Sequence, residues 1–215
     1  MLHVKVFPFN PLQENTYLVY DGEGRCAVID PGCYTEGERE ALRSYLSSKG
    51  LRPVWLLNTH CHLDHVFGNL FVAETYGLQP QIHPLEQRVL DFAPASGLMW
   101  DLPFDHYGGE VGHIVPGHPV TIGEDSLQVL FLPGHSPGHV GFYSADQGFL
   151  ISGDVLFREG VGRTDLPGGD APTLVRSIRE VLFALPDETV VHTGHGPSTT
   201  IGWEKRHNPF VGEAV

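Results

Sequence analysis

The stretch "LLNTHCHLDH", Leu56 to His65, places three histidines and an aspartate within six residues, directly after an apolar run. That run, "PVWLLNTH", reads as a buried strand, so the polar cluster falls where a strand leaves the core. The same design recurs downstream. "VLFLPG" leads into His135, "FLISG" into Asp154 and "TVVHTG" into His195. In these three cases a glycine immediately precedes the polar residue and lets the backbone turn there. Rigid strands would thus carry imidazoles and carboxylates to one edge of the core, a donor set that suits zinc, iron or manganese.

The spacing inside the first cluster says more. His60 and His62, two apart on an extended segment, point to the same side. Asp64 and His65 follow a turn and are expected to aim elsewhere. Four donors so close in sequence crowd a single tetrahedral ion, and His135, Asp154 and His195 add three more. Two divalent ions fit better, zinc first, with iron or manganese accepted by the same ligands. Paired ions in such sites lie roughly 3.5–4 Å apart, and a carboxylate is suited to bridge them. Asp154, an otherwise unassigned acid at a strand end, is the expected bridge.

Other polar residues near these motifs carry lesser roles. His139, in "HSPGH", is expected to support a ligand or stabilise the turn, and His192, inside a strand, to be a satisfied core histidine. Asp30 ends the strand "RCAVID" and has two readings, orienting a ligand histidine or capping the turn. Cys61 lies between two ligands and is expected to point away from the metals.

Composition narrows the classes. The chain has 215 residues, 41% of them hydrophobic, which is enough for a sizeable core and fits one domain over residues 1–215. Thirteen histidines equal the Lys and Arg total, and the formal net charge is −13. That charge repels phosphate backbones and anionic membranes, so a small-molecule partner is expected, with neither nucleic acid nor membrane. The first residues lack a basic and then apolar leader pattern, no apolar run approaches roughly 20 residues, and three cysteines make no disulfide framework. A cytoplasmic protein is expected. The sequence leaves its oligomeric state open.

Along the chain, "HVKVFPF", "NTYLVYD" and "RCAVID" read as strands, and "TEGEREALRSYLSSKG" as a helix capped by Thr35 and stopped by Gly50. "VFGNLFVAETYG", "LEQRVLDFA" and "APTLVRSIREVLFAL" read as further helices, and "SLQVLFLPG", "VGFYSA" and "GFLISGD" as further strands. Residues 93–119 break into Gly, Pro, His and aromatics and read as a long surface excursion, a candidate lid. Two blocks of strands, each with its own helices, argue for a layered α/β arrangement with helices outside.

At "THCHLDH", "PGHSPGH", "SGD" and "TGHG" the chain resembles the metallo-β-lactamase superfamily, and within it the glyoxalase II-like hydrolases. The resemblance implies a four-layer αββα sandwich with the site at one edge of the paired sheets. It implies that His60, His62 and His135 hold one metal, that Asp64, His65 and His195 hold the second, and that Asp154 bridges. The tail "HGPSTTIGWEKRHNPF" looks like a compact bacterial-type branch. Full-length glyoxalase II enzymes carry a C-terminal helical domain that helps hold glutathione; here about twenty residues follow His195, so that domain is expected to be missing. Family tyrosines that contact glutathione are replaced by Asp165 and Pro197. Arg163 either meets a substrate carboxylate or pairs with Asp165.

The function implied is hydrolysis of a hydroxyacyl thioester such as S-lactoylglutathione by a metal-bridging hydroxide, with Asp64 and Asp154 positioning it. The alternative is a mononuclear-iron persulfide dioxygenase, a related branch that shares a Gly-Arg-Thr-Asp stretch like Gly162–Asp165. An exported β-lactamase commonly has Cys where Asp154 stands, and an RNA-processing nuclease would need a basic surface.

Overall fold

The computed structural model, which describes residues 1–213, has two six-stranded sheets and divides into two compact units, with the first sheet wholly inside one of them. One unit comprises Met1–Ile114 with Thr121–Ser126; the other comprises Val115–Val120 and the chain from Leu127 onward.

The first unit's sheet begins with β1 (His3–Phe9), β2 (Glu14–Tyr20) and β3 (Arg25–Ile29), an antiparallel meander. Helix α1 (Glu36–Ser48) then crosses to β4 (Arg52–Leu57), parallel to β3. Thr35 caps α1 in a reciprocal box with Glu38, and Leu42 and Leu46 face the core. Helices α2 (Leu63–Val66) and α3 (Asn69–Tyr76) lead to β5 (Pro80–Ile82), and α4 (Gln87–Met99) leads to β6 (Gly112–His113), both strands parallel to their neighbours. Parallel strands present their C-terminal ends side by side, so the turns after β3 and β4 meet. The Asp30 N–H donates to the Leu57 carbonyl at 2.9 Å, which fixes that meeting point.

Two expectations for this unit need correction. The single helix expected over Val66–Gly77 is broken after α2, because Gly68 presses on the loop after β3. A Cβ at Gly68 would lie 2.4 Å from Cys33 Sγ and 2.7 Å from the Pro31 carbonyl. Conversely, helix α4 runs on to Met99, through Pro94 and into the expected excursion. Burial of Leu90, Ala93 and Gly97 along one face outweighs the lost Pro94 donor. Just beyond the helix, Pro103 and Phe104 are held within the first unit. Tyr34 Oη donates to the Pro103 carbonyl at 2.9 Å, and Phe104 meets Phe67 edge-on at 4.8 Å.

The second sheet runs β14-β13-β10-β9-β8-β7, with β7 (Val120–Ile122), β8 (Asp125–Phe131), β9 (Val140–Ser144), β10 (Phe149–Gly153), β13 (Val190–Thr193) and β14 (Thr199–Thr200). β8, β9 and β10 are antiparallel, while β10 and β13 are parallel. A small hairpin, β11 (Leu156–Phe157) and β12 (Gly160–Val161), follows β10. Helix α5 (Ala171–Arg176) unwinds into a wide turn and a tight one before β13, and α6 (Ile201–His207) closes the unit. Leu132, Leu150, Leu156, Leu174, Ile178, Val191 and Ile201 form its core. No helix among the described residues is long and apolar enough to cross a membrane.

Candidate functional site

In the first unit the polar cluster sits beyond β4, where the sequence puts it. β4 ends at Leu57, and Asn58, Thr59 and His60 follow in irregular, fully buried backbone. Asn58 Nδ2 donates to the His65 carbonyl at 3.0 Å, so the segment folds back on itself. This brings His65 alongside His60, with ring centroids 4.1 Å apart. The His62 ring stands edge-on to His60 at 4.8 Å, and His65 Nε2 lies 3.8 Å from Asp64 Oδ2.

Asp30 plays both parts open to it. Its Oδ1 accepts the Thr59 N–H at 2.7 Å and its Oδ2 accepts the Thr59 hydroxyl at 2.6 Å, which ties the turns after β3 and β4 together. The same Oδ2 lies 3.1 Å from His65 Nδ1 and orients that imidazole. Asp30 takes a left-handed φ of 48° to do so.

The second unit assembles its three candidate ligands around Asp154. His135 Nε2 and His195 Nε2 each lie 3.6 Å from Asp154 Oδ2. That separation is too long for a hydrogen bond. It matches the edge of a coordination polyhedron, since two donors each about 2.1 Å from one cation lie roughly 3.4 Å apart. Asp154 and His195 are neighbours because β10 and β13 are parallel and end together, the Gly194 N–H donating to the Gly153 carbonyl at 2.8 Å. Gly134 turns the chain before His135 with φ of 133°, where a Cβ would lie 2.3 Å from the Leu174 nitrogen.

Hydrogen bonds settle which ring nitrogens are available. His135 Nδ1 lies 2.7 Å from the Arg163 carbonyl, which can only accept, so the proton is on Nδ1. His65 Nδ1 faces a carboxylate in the same way. The Thr59 hydroxyl gives its proton to Asp30, so at 3.1 Å it accepts from His60 Nδ1. A neutral ring with its proton on Nδ1 has its lone pair on Nε2, the form a divalent cation takes. The residues fit such ions. His139 is buried and its Nε2 accepts the Asp154 N–H at 3.1 Å, supporting a candidate ligand from behind. His192 sits within β13 with Nδ1 3.0 Å from Ser198 Oγ, and burial pushes its imidazole down to about 4.

Arg163 is found in the pair with Asp165. Its Nε and Nη2 reach both carboxylate oxygens at 2.7 Å, and this fork lowers the Asp165 carboxyl to about 2.

Several supporting residues escaped the sequence reading. Glu14 is fully buried at the start of β2, 3.9 Å from His65 Nδ1, and burial raises its carboxyl well above the usual range. Glu86, also fully buried, accepts the Cys61 N–H at 2.9 Å and so holds the backbone between His60 and His62. The signal for Glu14 was present, an acid opening an otherwise inward-facing strand. Glu86 has no local signature.

Comparison with known proteins gives the family. A family model described as "Metallo-beta-lactamase superfamily" matches residues 9–195. The chain is 38% identical to "Probable metallo-hydrolase YqgX" of Bacillus subtilis over 95% of each chain. It is 35% identical to "Hydroxyacylglutathione hydrolase GloC" of Haemophilus influenzae over 98% of each. Among solved structures, TTHA1623 in a di-iron-bound form superposes with a TM-score of 0.87 at 43% identity, over 96% of this chain and 99% of that one. The α/β fold with helix-flanked sheets is therefore the fold of that superfamily, as expected.

Proposed function

Because the chain belongs to the metallo-β-lactamase superfamily, we propose that it is a metal-dependent hydrolase cleaving a hydroxyacyl thioester such as S-lactoylglutathione. One observation carries the reading. His60, His65 and His135 each spend Nδ1 on a protein acceptor, which makes Nε2 the nitrogen that would meet a cation, and carboxylates lie close to the Nε2 atoms of His65 and His135. In the proposed arrangement His60, His62 and His135 hold one cation, Asp64, His65 and His195 hold a second, and Asp154 bridges them. Zinc remains the first expectation, with iron or manganese able to use the same ligands.

When bound, such a cation pair lowers the pKa of water toward 7 and polarises a carbonyl oxygen. The chain's own contribution is positioning. Asp30 holds the His65 ring, and the Arg163 carbonyl holds the His135 ring, so little reorganisation is left for the reaction. A thiolate is a good leaving group, and no strong proton donor is asked of the chain.

The printed name of the Haemophilus influenzae relative supports hydroxyacylglutathione as the substrate class. That relative is matched over 98% of its own length. The net charge of −13 favours a small molecule over nucleic acid or an anionic membrane.

Metal content and S-lactoylglutathione hydrolysis, measured on one preparation, test the proposal. Near two divalent ions per chain with release of a free thiol is expected. One iron per chain with oxygen uptake on glutathione persulfide would replace the reading with the dioxygenase. No turnover of any thioester by metal-loaded protein would end it.

A further inference from the structure

We propose that Glu204, on α6, is a positioning residue for the metal ligands of its unit, acting through the β11–β12 hairpin. The inference rests on the metal-centre reading above, but not on the identity of the substrate. The hairpin and the residues flanking it reach all three candidate ligands of the second unit. Asp154 lies two residues before β11. Arg163 lies two residues after β12, and its carbonyl is 2.7 Å from His135 Nδ1. Between them, Phe157 meets the His195 ring edge-on at 6.2 Å.

The base of the hairpin has no slack. The Gly162 N–H donates to the Val155 carbonyl at 3.2 Å, and a Cβ on Gly162 would lie 1.9 Å from the Asp154 carbonyl and 3.1 Å from His135 Nδ1. Any movement of the hairpin is therefore passed to the ligands. Yet its two strands are two residues each, too short to hold themselves in water, and its turn residue Glu159 has a left-handed φ of 56°.

Helix α6 supplies the missing rigidity at the tip. The Glu159 N–H donates to Glu204 Oε2 at 3.0 Å, and Asn208 Nδ2 donates to the Gly160 carbonyl at 3.0 Å. Trp203 Nε1 donates to Glu159 Oε1 at 3.1 Å, and the Arg158 guanidinium lies over the Trp203 ring at 5.0 Å. Glu204 is the hub. It is fully buried and also accepts from Thr199 Oγ1 at 2.5 Å and Asn208 Nδ2 at 2.7 Å. Burying a carboxylate among neutral donors is expensive, and apolar packing would hold α6 in place at less cost. What the carboxylate adds is direction, three donors fixed on two oxygens, one of them the turn itself.

The test compares Glu204→Ala with Glu204→Gln in the full chain. A Gln keeps an acceptor for the turn N–H and offers its amide to the Thr199 hydroxyl, which can accept. Metal affinity is read by zinc competition with a chromophoric chelator, folding by thermal melting, and turnover by kcat and KM on a thioester. Glu204→Ala is expected to weaken zinc binding about 10–100-fold, the usual scale for residues behind the ligands. It should lower kcat with little change in KM, while Glu204→Gln stays within a few-fold of the parent. A folded Glu204→Ala with parental zinc affinity overturns the proposal, and so does a Glu204→Gln as damaged as the alanine. If Glu204→Ala does not fold, Asn208→Ala and Trp203→Phe decide by the same zinc assay, parental affinity in both overturning it. A parent that binds zinc but turns over no thioester would end the substrate reading alone.

Discussion

Asp30 Oδ2 sits 3.1 Å from His65 Nδ1 and 2.6 Å from Thr59 Oγ1, and Thr59 in turn touches His60 Nδ1 at 3.1 Å. One carboxylate thus sets the tautomers of two candidate ligands. Asp30→Asn keeps the shape but puts an amide N–H against one of these donors. Zinc affinity should fall about 10–100-fold, with a loss of stability on the order of 1–3 kcal/mol from the unsatisfied buried donor. Chelator competition and thermal melting check this. Parental affinity in a folded Asp30→Asn protein would show that the ring orientation comes from packing alone.

Asp154 is the proposed bridge, and removing it should leave the two histidines beside it without a shared acid. Asp154→Ala should lower kcat by about a hundred- to a thousandfold, the scale of one lost electrostatic contact at a reacting centre. It should also leave the chain with fewer tightly bound metal ions per molecule. Metal analysis after dialysis, beside steady-state kinetics, reads both quantities. A variant that keeps most of its turnover sinks the bridging assignment.

What was legible in the sequence follows from spacing. His60, His62, Asp64 and His65 announce themselves by density, and His135, Asp154 and His195 by standing just after a strand and a glycine. The parallel pairing of β10 with β13 then explains why Asp154 and His195 meet. Residues that act through a ligand have no such signature. Glu86, Thr59 and Glu204 look like ordinary surface or capping residues in one dimension, and only the fold turns them inward. The break at Gly68 was hidden for the same reason. Its cause is Cys33, 35 positions earlier, and a local helical pattern holds no record of that contact.

His192 offers a pH test that is independent of catalysis. Its folded-state pKa is depressed to about 4 from an ordinary 6.5, because burial in β13 disfavours the charged ring. The unfolded chain therefore takes up the proton first. The neutral ring's contribution is fully present above pH 6.5 and is lost as pH falls from there toward 4, by at most about 3 kcal/mol. Metal-free parent protein should lose more stability between pH 7.5 and 5 than metal-free His192→Gln, other titrations being common to both. Melting curves whose pH dependence runs parallel in the two proteins would remove His192 from the account.

The fork between Arg163 and Asp165 bears on which thioesters are accepted. Both partners are substantially exposed, so solvent screens the pair and it adds little to stability. A substrate carboxylate seeking Arg163 must first displace Asp165, which is charged at any pH above about 2. Asp165→Ala removes that competitor. KM for an anionic thioester such as S-lactoylglutathione should fall by a few-fold at low salt, the modest scale of an exposed ion pair. The gain should shrink at high ionic strength, where exposed charges are screened, and a thioester without a carboxylate should show no change. An equal response from both substrates would place Arg163 away from the bound thioester and leave the fork as a loop contact only.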